Sequence, residues 1–298
     1  MINAPIILFV YNRPWHTQQT IEALAANKGA DEVFLYVFAD GPKAGAGAQD
    51  LQKINDVREY IKTQQYFKHV DLIESATNKG LATSIIEGVT AVLSKHNNAI
   101  ILEDDLITAP YFLDYMNSAL EKFGNTDEVI SIHGYCEPIV FDEPAFFLRG
   151  ADCWGWATWK RGWNLFEKDA VKLKKELLYR HLKYDFDYYG TFPYFKMLEK
   201  QIKGEVDSWA IRWYASAFLK NKLTLYPSRS LVKNIGQDGS GTHVQADRSL
   251  EIGLPQKRIN LDNIVVEESG EARKKISEYF FRNMGLKSKL QKILKLGY

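Results

Sequence analysis

Ala99-Ile100-Ile101-Leu102-Glu103-Asp104-Asp105-Leu106 passes from an unbroken apolar run into three consecutive carboxylates. A run of this kind predicts a strand buried on both faces that delivers its acids to the edge of a sheet. Adjacent carboxylates repel one another and lose hydration when packed together. A positive partner is therefore expected beside them, either a basic side chain or a divalent cation. Hard oxygen ligands suit magnesium or manganese, above all when phosphate oxygens complete the shell. The plainer alternative is a solvated acidic turn ahead of a helix near Pro110, and the triplet alone does not choose between the two.

Upstream, the same pattern recurs. Residues 5–11 (PIILFVY) and 33–39 (VFLYVFA) are apolar runs of strand length that end in Asn12-Arg13-Pro14 and in Asp40-Gly41-Pro42. Between them a helix is expected from Thr17, with Ile21, Leu24 and Ala25 on one face. Leu51, Ile54, Val57 and Ile61 fit a second helix, 70–74 a third strand, and Leu81, Ile85, Val89 and Val92 a third helix after Asn78-Lys79-Gly80. Regular alternation of strand and helix predicts an α/β fold with a mainly parallel sheet flanked by helices. Ligands of such sheets bind beyond the carboxyl ends of the strands, where Asn12, Arg13, Asp40 and Glu103 to Asp105 all fall. A helix over 111–123 and a strand over 129–133 follow, and then the rhythm changes. The second half is aromatic, with a helix expected over 208–218, and no Pro/Gly/Ser linker separates it.

Composition narrows the function classes. With 298 residues and 46% hydrophobic content the chain can bury a sizeable core. Lys and Arg (38) nearly cancel Asp and Glu (37), so no global charge favours nucleic acid. Cys136 and Cys153 are the two cysteines, too few for a disulfide framework, and a reducing cytoplasm is the simplest setting. The N-terminus has no signal-peptide pattern, and no run approaches the roughly 20 apolar residues of a spanning helix. The first strand is not followed by a G-x-G-x-x-G turn, which disfavours a dinucleotide dehydrogenase.

Asp40 can accept the imino hydrogen of uracil or thymine, and Arg13 can meet phosphate or a base carbonyl; Asp40 can equally be a turn former before Gly41-Pro42. Seven segments in order, PIILFVYNRP, FADGP, ATNKGLATSI, IILEDDL, GADCWGWATWKRGW, GEVDSWAIRW and GSGTH, resemble a GT-A fold glycosyltransferase. They are most similar to the N-acetylglucosaminyltransferase I-like branch and its bacterial relatives, and the likeness spans residues 5–243.

The resemblance implies a GT-A domain over 1–247, with a nucleotide-sugar half (1–135) and an acceptor half (136–247), then a charged extension over 248–298. It implies a nucleotide and donor site of Tyr11, Asn12, Arg13, Asp40, Asn78, Lys79, Gly80, Glu103 and Asp104. Asp105 is implied as the ligand of Mn2+ or Mg2+, with His243 as a second ligand on a loop shorter than the family's, and Asp207 as the catalytic base. Asp207 is alternatively a helix cap, and His243 a solvated loop histidine. Trp154, Gly155 and Trp156 fit a platform for sugar stacking or a close-packed turn.

The expectation is then a metal-dependent inverting hexosyl- or N-acetylhexosaminyltransferase. It would move a sugar from a UDP-sugar to a glycan or lipid-linked acceptor in polysaccharide assembly. A sugar nucleotidyltransferase is the first rival, although a Gly-rich phosphate loop would be expected after the first strand. An inactive carbohydrate-binding scaffold is the second. Leu286, Leu290, Ile293 and Leu294, interleaved with Lys287, Lys289, Lys292 and Lys295, predict a basic amphipathic helix. Such a helix suits either peripheral contact with the inner face of a membrane or packing on protein.

Overall fold

The computed structural model describes residues 3–236, 238 and 253–285. Four parallel strands form one side of an eight-stranded sheet: β1 (Ile6–Val10), β2 (Phe34–Ala39), β3 (His69–Glu74) and β4 (Asn98–Glu103), in the order β3-β2-β1-β4. Register levels their carboxyl ends. Val10 pairs with Ala39, Ala39 with Glu74, and Phe9 with Glu103. Residues 11–13, 40–43, 75–80 and 104–105 therefore leave the sheet along one edge.

Helices α1 (Pro14–Ala25), α2 (Ala48–Lys62) and α3 (Leu81–Lys95) connect these strands. Each buries an apolar stripe; on α3 it is Ala82, Ile85, Val89 and Val92. Gly88 lets α3 approach β1 closely, since a Cβ there would lie 2.8 Å from the Phe9 ring. The first helix starts earlier than Thr17 because Pro14 occupies its first turn, where a missing N–H costs nothing and the fixed φ is already helical.

Beyond β4 the sheet turns mixed. After the short β5 (Leu106–Thr108) and α4 (Phe112–Lys122) come β6 (Val129–His133), β7 (Ala145–Arg149) and β8 (Trp156–Trp159). Helices α5 (Lys160–Trp163), α6 (Ala170–Tyr179), α7 (Lys183–Phe186) and α8 (Tyr194–Ile202) then follow. The order β4-β8-β6-β9-β7 is completed by β9 (Leu223–Pro227), which α9 (Trp209–Leu219) precedes. Strand β8 is antiparallel to both β4 and β6, so β6 points the same way as β4 and brings His133 to the acidic edge. A separate ribbon pairs β5 with β10 (Val232–Asn234).

The last described helix, α10 (Gly270–Asn283), belongs to the same packing unit. Ser269 N donates to Phe147 O, and Ala272 and Ile276 join a core cluster with Leu148 and Phe218. The expected boundary at 247/248 and the amphipathic segment 286–296 lie outside the described residues. Among the described residues no helix is long and apolar enough to cross a membrane.

Trp156, Trp163, Trp209 and Trp213 gather under the sheet, with Trp156 ring centroids 5.2–5.9 Å from the other three. Trp156 is 1% exposed, so it cannot offer a face to a sugar, and its expected stacking role is corrected to a core role. Gly155 is also buried. Its φ of +60° and the contact of a notional Cβ with Val232 at 2.8 Å make it a close-packed turn. Of the three residues of the expected platform, Trp154 alone stays partly open to solvent.

Candidate active site

Arg13 supplies the positive partner of the acidic turn. It leaves β1 as the residue before α1, its carbonyl taken by Thr17 N (3.0 Å) and Thr17 Oγ1 (2.9 Å). Its Nη1 donates to Asp105 Oδ2 at 2.8 Å and reaches Asp104 Oδ1 at 3.5 Å. The backbone of the turn is fixed from both sides. Thr20 Oγ1 donates to Asp104 O at 2.8 Å, and Ile235 N donates to Asp105 O at 2.8 Å.

One guanidinium does not balance three carboxylates. Burial, with repulsion from Asp105 and Asp104, pushes Glu103 up to about 8; burial and Asp105 push Asp104 up to about 7 against the pull of Arg13. A divalent cation would match this shortfall of positive charge, and the hard carboxylate oxygens suit magnesium or manganese. Among the described residues no three His, Cys, Asp or Glu side chains converge to hold a metal by themselves. A cation beside Asp105 would thus complete its shell with phosphate and water oxygens, the ordinary habit of magnesium. His243 lies outside the described residues.

A strap from the far end of the chain closes over the turn. Pairing of β10 with β5 carries residues 235–236 onto Asp105, and a Cβ on Gly236 would lie 2.0 Å from Asp105 Oδ2. Any larger residue there would have to push the Asp105 carboxylate aside. Gly236 N donates to Asn234 Oδ1 at 2.8 Å, which fixes the bend. Nothing in the sequence pattern around Gly236 links it to an acid more than a hundred positions earlier.

Asp40 has a different geometry from the one expected of a base reader. Its Oδ1 accepts from Gly41 N and Lys79 N, both at 2.8 Å, and its Oδ2 from Asn78 Nδ2 (2.9 Å) and Gly80 N (3.0 Å). These fill the roughly four acceptor positions of a carboxylate. The side chain clamps the loop at 78–80 to the end of β2 and satisfies amides ahead of α3. Gly41 permits this closeness, since a Cβ there would stand 2.5 Å from the Thr77 backbone. Tyr11 stands beside this loop; its phenol is raised chiefly by burial and also by the charges of Asp50 and Asp40.

Asp207 precedes α9, but the cap is Ser208, whose Oγ accepts from Ile211 N at 3.3 Å. Asp207 is 62% exposed and pairs with Arg212 Nη2 at 3.1 Å. Stacking of Trp209 on Trp156 brings the start of α9 to the end of the sheet where β4 delivers its acids, because Trp156 pairs with Ile101.

No protein-family model matches the chain, and no curated protein matches it. Among solved structures, mannosyltransferase PcManGT from Pyrobaculum calidifontis, in complex with GDP-Man and Mn2+, matches 45% of this chain and 36% of its own at 13% identity and a TM-score of 0.33. S. aureus TarS 1-349 matches 78% of this chain and 61% of its own at 14% identity and a TM-score of 0.40. A putative nucleotide-diphospho-sugar transferase from Desulfovibrio desulfuricans G20 matches 57% of this chain and 69% of its own at 10% identity and a TM-score of 0.34. The chain spans less than two thirds of the length of the first two. Likenesses this distant carry no functional weight.

Two variants test the site as described. Because Glu103 sits above its unfolded value when folded, its penalty is absent below about pH 4 and grows as pH rises toward about 8. In chelator, Glu103→Gln should melt with the parent at about pH 4 and above it at about pH 8; parallel melting at both would contradict the charge imbalance. Asp40→Ala should cost about 1–3 kcal/mol of stability in a denaturant melt by orphaning the buried Gly41 amide and three partly buried donors. Unchanged stability with lost nucleotide affinity would instead make Asp40 a direct base reader.

Proposed function

We propose that the chain is an inverting, divalent-metal-dependent GT-A glycosyltransferase. In this reading it moves a hexosyl or N-acetylhexosaminyl group from a nucleotide sugar, first of all a UDP-sugar, to an acceptor hydroxyl in surface glycan or polysaccharide assembly. The observation that carries the reading is the convergence of Arg13, the Asp40-clamped loop and the acidic turn on the carboxyl edge of β1, β2 and β4, where α/β sheets bind nucleotides.

Each residue then has a task. Tyr11, Asn12 and the loop Asn78-Lys79-Gly80 would line the nucleoside, with Asp40 holding that loop rather than touching the base. Arg13 would exchange its carboxylate partners for phosphate oxygens, to which a planar guanidinium is equally suited. Glu103 and Asp104 would accept hydrogen bonds from ribose or donor-sugar hydroxyls. Asp105, with His243 on the resemblance, would hold Mn2+ or Mg2+, which when bound supplies charge to the departing diphosphate. Asp207 would take the proton of the acceptor hydroxyl as its oxygen bonds to the anomeric carbon and the carbon–phosphate oxygen bond breaks. A single displacement inverts that carbon.

Thermal-shift measurements with UDP-, GDP-, CMP- and dTDP-sugars, each with and without manganese, test the reading. A nucleotide sugar that raises the melting temperature only with manganese is expected; no response to any of them contradicts it. With the donor found, Asp207→Asn should keep donor affinity and lower turnover on the order of a hundredfold. Unchanged turnover would remove Asp207 from the reaction.

A further inference from the structure

The first turn of α1 brings a second side chain to the cleft. His16 follows Arg13 by three residues and precedes Thr20 by one helical turn, and the Thr20 hydroxyl holds the Asp104 carbonyl at 2.8 Å. Residues four apart share a helix face, so His16 stands on the side of α1 that meets the acidic turn. Its side chain is 7% exposed, and the Trp15 ring packs edge-on against it with centroids 4.9 Å apart.

Nε2 of His16 is buried and makes no aligned hydrogen bond among the described residues. It faces Asp238 Oδ2 at 3.2 Å, a gap that only a ring with its proton on Nε2 can bridge as a donor. Asp238 arrives on the strap, two residues past Gly236, where a Cβ would stand 3.0 Å from Arg13 Nη1 as well as 2.0 Å from Asp105 Oδ2. The strap thus passes Arg13 and sets a carboxylate against His16. The two partners differ in exposure. The Asp238 side chain is 46% exposed and can leave without uncovering core, whereas the imidazole is enclosed.

The start of α1 favours an anion on its own account. No side chain caps the helix, and no acid stands in its first turn. First-turn amides have no partner within a helix and carry partial positive charge, which stabilises an oxyanion placed before them. The buried imidazole nitrogen beside this end, with an exchangeable carboxylate in front of it, marks where such an anion would sit.

We propose that His16 joins Arg13 in binding the diphosphate of the donor, and that Asp238 holds the place at His16 until the diphosphate displaces it. The inference rests on the transferase reading for the origin of that diphosphate in a nucleotide sugar. Nε2–H of His16 donates to one phosphate oxygen, and the guanidinium of Arg13, now shared between Asp104 and Asp105, turns its planar N–H groups to others. A diphosphate brings more oxygens and more charge than the single carboxylate it replaces.

Calorimetry on the full chain with magnesium tests this with pyrophosphate, with UDP, GDP, CDP and dTDP, and with uridine. Pyrophosphate carries the bound group without base or sugar, and it should bind the parent. His16→Leu should weaken pyrophosphate and any nucleoside diphosphate that binds by roughly tenfold or more, the scale of a hydrogen bond to a charged group. His16→Gln keeps an N–H donor near the place of Nε2 and should recover most of that loss. Asp238→Asn should tighten the same ligands several-fold because the competing charge is gone, whereas a purely structural pair predicts weaker or unchanged binding. Uridine should respond to none of these changes. Absence of pyrophosphate binding, parental affinity in His16→Leu, or no gain in Asp238→Asn overturns the subsite, and the last of these decides alone if the leucine variant does not fold. Pyrophosphate binding without any nucleoside diphosphate binding overturns the transferase reading and leaves the anion subsite standing.

Discussion

Three carboxylates share one guanidinium at the end of β4, and much of the rest of the cleft is arranged around that imbalance. The pairing of Phe9 with Glu103 brings Arg13 and the acids to the same sheet edge. Thr20 holds the turn from α1 and Ile235 holds it from the strap, so the acids cannot swing apart to relieve repulsion. Glu103 and Asp104 consequently resist ionisation. A site that stores repulsion in this way is prepared to gain from a positive ligand, since the incoming charge removes a penalty already built into the fold.

The strand-turn-helix half of the molecule is legible in the sequence because its strands are covered on both faces and read as unbroken apolar runs. Ile6–Val10, Phe34–Ala39 and Asn98–Glu103 fall where PIILFVY, VFLYVFA and the run into the acids place them. The second half is not legible to the same degree. Strands β7 to β10 are short and pair in mixed directions, and β7 to β9 carry aromatics with no alternation that a single strand could reveal.

The site divides in the same way. Which residues reach the cleft edge follows from strand ends, but what each one touches does not. Asp40 before Gly41-Pro42 looks like a ligand or a turn former; besides the Gly41 amide, its partners lie 38 to 40 positions later, in a loop whose approach no local pattern announces. Trp154 and Trp156 look equivalent, yet the intervening Gly155 sends one to the rim and the other into the core. Asp207 shows the reverse case: Ser208 takes the capping role, which leaves the aspartate without a local structural duty other than its pair with Arg212.

The central claim is that the acidic turn receives a divalent cation together with a nucleoside diphosphate. Electron paramagnetic resonance of manganese measures it most directly, because the free ion's signal falls as the ion is bound. The account predicts strong depletion of that signal when the protein and UDP are both present, and far less with Asp105→Asn or with the protein alone. Equal depletion by the parent and the Asp105 variant would contradict it.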